Sequence, residues 1–109
     1  MNYLNMKKFR AFIVNKDKEN KQFNKFIDLK IDDLMEGNII IEVKYSSLNY
    51  KDGLAITGNS PIVKSWPMIP GIDFCGRVLE SNDSEYNAGD KVILTGWGVG
   101  EKHYGGFSQ

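Results

Sequence analysis

The stretch Ser46-Ser-Leu-Asn-Tyr-Lys-Asp-Gly-Leu-Ala-Ile-Thr-Gly58 is the most informative part of this chain. It follows a segment in which Ile39, Ile41, Val43 and Tyr45 alternate with Ile40, Glu42, Lys44 and Ser46. Successive side chains of a strand point to opposite faces, so this alternation predicts a strand over 38–46 with unequal faces. The pattern stops at Ser46 and Ser47, and Asn49, Tyr50, Lys51 and Asp52 crowd the place where the strand ends. Leu54, Ala55 and Ile56 then read as an apolar helical turn. Asn49 suits the N-cap of a short helix starting at Tyr50. Asp52 would then stand third in the helix, where a carboxylate favours the positive helix end and can reach back to the cap N–H. The Asn49 amide can equally face a cleft, and both readings stand at this level. Tyr50 can pack in the core, where its hydroxyl would need a partner, and Lys51 reads as a solvated side chain. A strand end that gathers hydrogen-bonding groups and is pinned by a helix is a place to hold a substrate carbonyl.

Working outward, residues 8–15 alternate loosely, with Phe9, Ala11 and Ile13 opposite Arg10, Phe12 and Val14. Residues 22–30 do the same through Phe23, Phe26, Ile27 and Leu29. The polar run Asn15-Lys-Asp-Lys-Glu-Asn-Lys21 between them suits a hairpin turn. The strand over 38–46 is entered through Met35-Glu-Gly-Asn38, and a loop with Pro61, Pro67 and Pro70 follows the short helix. A fourth strand is predicted over 72–80, with Ile72, Phe74, Gly76 and Val78 on one face, and a fifth over 91–95. The turn-rich Ser81-Asn-Asp-Ser-Glu-Tyr-Asn-Ala-Gly-Asp90 separates them, and Gly96, Gly98, Gly100, Gly105 and Gly106 punctuate the remainder. Short strands with Gly, Pro and Asn turns and little helix predict a mainly β barrel or sandwich. A further strand is expected to begin at Phe107-Ser-Gln109, an ending that reads as the edge of a larger unit.

A chain of 109 residues is one small domain with a thin core. With 41% hydrophobic and 26% charged residues, its balance is that of an ordinary globular protein. Its 14 basic and 14 acidic residues cancel, and no basic stripe stands out, which argues against nucleic acid and anionic membrane as partners. The longest aliphatic run, Ile39 to Ile41, is far too short to span a bilayer. Met1-Asn-Tyr-Leu-Asn-Met-Lys-Lys8 has no apolar segment of the kind a secretory signal carries. Cys75 stands alone and forms neither an internal disulfide nor a cysteine zinc cluster. These features together make a cytoplasmic protein the expectation.

Several apparent motifs fail on their spacing. Gly96-Trp-Gly-Val-Gly-Glu101 follows a strand, as a dinucleotide fingerprint does. The glycine that fingerprint needs falls on Glu101 or His103, and no amphipathic helix is predicted to receive a pyrophosphate. A tightly turned loop is the better reading. His103 is the single histidine and has no second nitrogen or sulfur ligand in its loop, so a zinc site of three or four ligands is not predicted. Asp28, Asp32, Asp33 and Glu36 lack the calcium-loop spacing and its glycine, and read as a solvated acidic turn. Asn82-Asp-Ser84 matches a glycosylation acceptor, which requires a secretory route that the N-terminus does not suggest.

Four motifs give the chain a family resemblance: Ser46-Ser-Leu-Asn-Tyr-Lys-Asp52, Pro70-Gly-Ile-Asp-Phe-Cys-Gly-Arg-Val78, Ala88-Gly-Asp-Lys-Val92 and Gly105-Gly-Phe-Ser108. In order and spacing they resemble the medium-chain dehydrogenase/reductase superfamily; the resemblance covers the chain from about residue 36 to its end, and the opening hairpin is consistent with it. Trp66-Pro-Met-Ile-Pro-Gly-Ile-Asp-Phe74 and Leu94-Thr-Gly-Trp-Gly-Val-Gly-Glu101 narrow the likeness to a zinc-independent branch, the acryloyl-CoA reductases and related quinone oxidoreductases. Zinc-dependent members carry a cysteine at the place of Leu48 and a His-Glu pair at the place of Ile72-Asp73. Without that thiolate and imidazole the first shell of a catalytic zinc cannot form.

The resemblance implies a GroES-like, partly open β-barrel with short helices over residues 1–109. That barrel would be the N-terminal catalytic-domain part of a longer enzyme whose Rossmann domain is absent from this chain. It implies NADPH as cofactor, with most contacts from the Rossmann domain, and no zinc. The implied reaction is hydride transfer to an activated alkene such as acryloyl-CoA, or to a quinone, in a protein that can form a homodimer. Asn49 and Tyr50 are then the candidate catalytic donors to the substrate carbonyl, and Tyr50 the candidate contact to the nicotinamide. The fragment alone is expected to be inactive. A free-standing β-barrel binding module with no chemistry is the contrasting expectation, although such a module has no need of the Asn-Tyr-Lys-Asp strand end.

Overall fold

The computed structural model describes residues 8–109, so the opening residues inspected for a secretory signal lie outside the described part. The strands are β1 (Lys8–Lys16), β2 (Gln22–Lys30), β3 (Ile39–Tyr45), β4 (Asp73–Ser81) and β5 (Lys91–Thr95). A 3-10 turn, Ile31–Asp33, follows β2, and one helix, α1 (Tyr50–Thr57), lies between β3 and β4. These elements fall within a residue of the expected bounds.

β1 and β2 form an antiparallel hairpin in which Lys8 faces Lys30 and Lys16 faces Gln22. Its turn is made by Asp17, whose carboxylate accepts the N–H groups of Glu19 and Lys21, each at 2.9 Å. That is the local hydrogen bonding for which aspartate is favoured in turns. β3, β4 and β5 form a second antiparallel sheet in that order.

Residues 107–109 stitch the two sheets together. The Phe12 N–H donates to the Phe107 carbonyl at 2.9 Å, and the Gln109 N–H donates to the Arg10 carbonyl at 3.0 Å. On the other side the Val43 N–H donates to the Gln109 carbonyl at 3.3 Å. Further along β1, Val14 and Met68 exchange backbone hydrogen bonds of 2.8 and 2.9 Å. The wall therefore runs β2, β1, residues 107–109, β3, β4, β5. It is the expected mainly β, GroES-like, partly open barrel, and the strand expected at Phe107 is this short bridge.

The core has two apolar clusters. Ala11, Ile13 and Ile69 pack with Phe9, Ile27, Leu29, Tyr104 and Phe107. Ala55 of α1 packs with Val63 and Met68, and with Ile62, Trp66 and Tyr104. Tyr104 touches both and joins the helix to the barrel. Inside the wall lies a cavity of about 470 Å³ lined by Phe9, Ile41, Val43, Ile69, Phe74 and Tyr104 among others. This cavity explains a departure from the sequence reading. Ile39, Ile40, Ile41, Glu42 and Val43 are all half-buried, where the alternation predicts one covered row. Tyr45 leaves that row and is exposed because a register shift between Val43 and Tyr45 sets it opposite Cys75, on the other face from the Val43–Gly76 pair. β3 fronts an open space rather than a packed layer, so neither row is fully covered.

Candidate functional site

The site is built where β3 ends, α1 begins and β4 begins. Asn49 has extended backbone (φ −109°, ψ 161°) and stands at the N-cap of α1. Its N–H donates to Asp52 Oδ2 at 3.0 Å. Asp52 is only 1% exposed. Its other oxygen accepts the N–H groups of Gly71 at 3.2 Å and Ile72 at 3.0 Å. The carboxylate expected to cap the helix therefore also anchors the segment that leads into β4. A residue at the third helical position is the one whose side chain reaches the exposed N–H groups of the first turn.

Asp73, the first residue of β4, is a second hub. Its carboxylate accepts the Ser47 hydroxyl at 2.9 and 3.0 Å to its two oxygens, and the Ser47 N–H at 3.4 Å. It also accepts the Asn49 amide nitrogen at 3.2 Å, and its backbone carbonyl accepts the Ser46 hydroxyl at 2.8 Å. The same amide nitrogen lies 3.3 Å from Ser47 Oγ and 3.4 Å from Asp52 Oδ2. The Asn49 amide hydrogens are thus committed to a serine hydroxyl and two carboxylates. Asn49 thus stands at the cap of α1 through its backbone, as one sequence reading expects, while its side chain is turned onto Ser47, Asp52 and Asp73 at the strand end.

Tyr50 is 84% exposed and is not a core residue. Among the described residues its hydroxyl has no hydrogen-bond partner. Leu48, two residues before it, is exposed as well. Lys51, read as solvated, is half-buried and ion-paired with Glu101. The pair ties the first turn of α1 to the glycine-rich loop after β5.

That loop arrives at the same rim by topology. β3 and β5 both run antiparallel to β4, so their C-terminal ends flank the start of β4, with Asp73 facing Thr95. The Gly96 N–H donates to the Ile72 carbonyl at 2.9 Å, and the N–H groups of Lys102 and His103 both donate to the Gly98 carbonyl at 2.9 and 3.1 Å. Gly96, Gly98 and Gly100 take φ of 73°, 80° and 79°, and Trp97 between them takes 58°. The stretch is the tightly turned loop expected, and it leads into turns rather than a helix. His103 is exposed and packs against Gly98. Among the described residues no three His, Cys, Asp or Glu side chains gather as a metal-binding group. Asp28, Asp32, Asp33 and Glu36 are exposed, with the Asp33 carboxylate accepting the Lys30 N–H at 2.9 Å.

The structure joins Asn49 and Asp52, the cap and capping carboxylate of the sequence reading, and leaves the Tyr50 side chain exposed outside their hydrogen bonds. The sequence reading missed Asp73 as an acceptor, the Lys51–Glu101 pair and the presentation of Trp97. The sole signal for Asp73 was its place in the Pro70-Gly-Ile-Asp-Phe74 motif. The motif carried no indication of which side chains it would meet.

A GroES-like barrel whose sheet rim carries this polar nest defines a class. The chain belongs to the alcohol dehydrogenase GroES-like domain family, which matches residues 35–108. The medium-chain dehydrogenase/reductase likeness drawn from the four motifs holds. The chain is 47% identical over 102 residues to the acrylyl-CoA reductase AcuI of Ruegeria pomeroyi, covering 93% of this chain and 31% of that protein. The crystal structure of the yhdH oxidoreductase from Salmonella enterica in complex with NADP is similar to it with a TM-score of 0.85 and 47% identity. That match covers 90% of this chain and 30% of the other. The structure of Bacillus subtilis yhfP with NAD bound is similar with a TM-score of 0.84 and 38% identity, covering 94% and 31% respectively. The chain thus spans about a third of the length of these relatives.

Proposed function

We propose that this chain is the N-terminal catalytic-domain portion of an NADPH-dependent oxidoreductase that reduces an alkene conjugated to a thioester carbonyl, acryloyl-CoA being the substrate suggested by its AcuI relative. The observation that carries this reading is Tyr50, an exposed phenol at the head of α1, beside the Asn49–Asp73 nest. NADPH, when bound, supplies hydride to the β-carbon of the alkene. Negative charge then develops on the carbonyl oxygen until the α-carbon takes up a proton from solvent, and stabilising it calls for hydrogen-bond donors fixed in advance.

The residues of this chain fit the nicotinamide end of that cofactor. An exposed phenol, the exposed Leu48 and a carboxylate-bound amide give a rim that is part apolar and part hydrogen-bonding. For the phosphates the fit is poor: the glycine-rich loop has no helix after it, so tight binding falls to a Rossmann domain in the longer polypeptide. Leu48 and Ile72 stand where zinc-dependent members place ligands, which leaves polarisation of the carbonyl to side-chain donors. Tyr50 donates its free hydroxyl to the carbonyl oxygen and lines the nicotinamide. Asn49 acts with it: its amide fixes the strand end through Asp73 and Asp52, and by exchanging one carboxylate for the substrate oxygen it becomes a second donor.

The test is NADPH-linked reduction of acryloyl-CoA by the native polypeptide that carries this chain, beside the 109-residue chain alone. The native polypeptide should turn over and the short chain should not. Tyr50→Phe and Asn49→Ala should each lower kcat/KM by about 100- to 1000-fold, the usual effect of losing one such donor. Unchanged kcat/KM in Asn49→Ala would confine that residue to capping, and unchanged kcat/KM in both variants would overturn the assignment.

A further inference from the structure

Trp97 has no role in the reading above, yet its geometry is the least ordinary in the molecule. It is 88% exposed, and it is a bulky residue in the left-handed region with φ of 58°. An L-residue with a Cβ is disfavoured there, and a large apolar side chain gains nothing from water. Burial of the indole therefore does not offset the strain. Strained residues of this kind persist where the surroundings hold them, and they gather at functional sites.

The surroundings do hold this one. The Gly96 N–H is bonded to Ile72, next to the Asp52 and Asp73 hubs. Gly98 is fixed by the N–H groups of Glu101, Lys102 and His103, all donating to its carbonyl. Gly100 lies against Gly71, since a Cβ on it would come within 3.1 Å of the Gly71 nitrogen. Glu101 is tied to Lys51 and, through its carbonyl, to the Lys64 N–H at 2.8 Å. The loop is a hydrogen-bonded bracket on both sides of an indole that projects from it. Because Thr95 faces Asp73 across the β4–β5 ladder, the bracket stands at the same rim as Ser47, Asn49 and Tyr50.

We propose that Trp97 is a specificity-determining residue whose indole packs against the planar conjugated alkene–carbonyl group of the substrate. This rests on the proposed reductase reading. An electron-rich ring face suits a flat, electron-poor π system, and an aromatic contact of this kind adds to the area buried. Both an enoyl thioester and a quinone offer that chemistry. A saturated acyl thioester does not, so Trp97 favours the substrate over the reduced product.

The test uses the native polypeptide with Trp66→Phe, to remove the other tryptophan of this chain, and with any tryptophan outside this chain also changed to Phe. Trp97 fluorescence is then titrated with acryloyl-CoA, with propionyl-CoA and with 1,4-naphthoquinone. Quenching that saturates with acryloyl-CoA, and needs about tenfold more propionyl-CoA, supports the inference with an enoyl thioester as substrate. The same selectivity for naphthoquinone supports it with a quinone. Equal or absent quenching by all three overturns it. So does an indole already shielded from acrylamide before any ligand is added, which would mean that another part of the polypeptide covers it.

Steady-state kinetics of Trp97→Gly provide a second measurement. Glycine relieves the left-handed strain, so this variant should melt no lower than the parent while KM for the preferred substrate rises about three- to tenfold. A structural role alone would leave KM unmoved, and that result overturns the inference. Absence of NADPH-linked turnover in the parent, with selective quenching intact, would sink the reductase reading and leave Trp97 as a binding residue.

Discussion

Asp52 is a carboxylate held almost wholly out of water, and among the described residues it has no cationic partner. Its charge is balanced by the backbone N–H groups of Asn49, Gly71 and Ile72, together with the positive end of α1. Removing the carboxylate leaves three donors without a partner, the Gly71 N–H buried and those of Asn49 and Ile72 half-buried, and each unsatisfied buried group costs about 1–3 kcal/mol. Asp52→Ala should therefore lower unfolding free energy by about 3–5 kcal/mol, read from the midpoint of urea denaturation. A loss below about 1 kcal/mol would mean that water replaces the carboxylate and that the two segments are not joined by it. Asn49 differs in kind. Its amide adds to the same network but stands half-buried, so Asn49→Ala should cost about 1 kcal/mol of stability, within the range for a lost cap. A much larger cost would make any activity lost by that variant a folding effect.

At the scale of elements, β4 carries the arrangement, because it pairs with β3 and β5 and contributes Asp73 to the site. Its tightest point is Gly76, which faces Val43. A Cβ there would collide with the Glu42 carbonyl oxygen and approach Ile41 Cγ2 to 2.9 Å. The obstacle is backbone in a paired strand, which cannot swing aside as a side-chain tip can. Gly76→Ala should cost about 1–3 kcal/mol of stability, as overpacking does elsewhere, and it should widen the β3–β4 spacing. Native-state hydrogen exchange would show this as faster exchange in β3 and β4 with β1 and β2 unaffected. Uniform protection across both sheets would show that the clash is absorbed.

The elements also show what the sequence made legible. The bounds of β2 and β5 and the start of α1 at Tyr50 were readable because alternation, turn residues and capping act over a few positions. Asp52 as a capping carboxylate was readable for the same reason. The Asp73 contacts with Ser47 and Asn49 and the Lys51–Glu101 pair were not, since they join segments that only the sheet order brings together. The pattern of β3 was legible but its burial was not, because burial depends on the cavity opposite.

At the scale of the whole molecule, five of the exposed apolar side chains among the described residues gather at the β3–β4–β5 sheet and its rim, apart from Phe26, Met35 and Tyr86. Tyr45, Cys75 and Ile93 face one another across β3, β4 and β5 and so share one face of the sheet. Tyr45 and Ile93 are 75% and 80% exposed, and the rim above them adds Leu48, Tyr50 and Trp97. An apolar patch of this kind on a small domain favours association. The charged row next to it, with Arg77 facing Glu42 and Lys91, sets where the apolar row ends. The 109-residue chain in isolation should therefore self-associate as its concentration rises, by sedimentation velocity. Ile93→Lys should hold it monomeric: Ile93 is already exposed, so the new charge costs no core packing, and a lysine at the β5 end of this row must be desolvated for two copies to meet across it. A parent chain that stays monomeric at every concentration would show that the sheet face is too polar at its edges to associate. Association that persists in Ile93→Lys but fails in Phe26→Lys would move the contact to the β1–β2 hairpin, where Phe26 is the exposed ring.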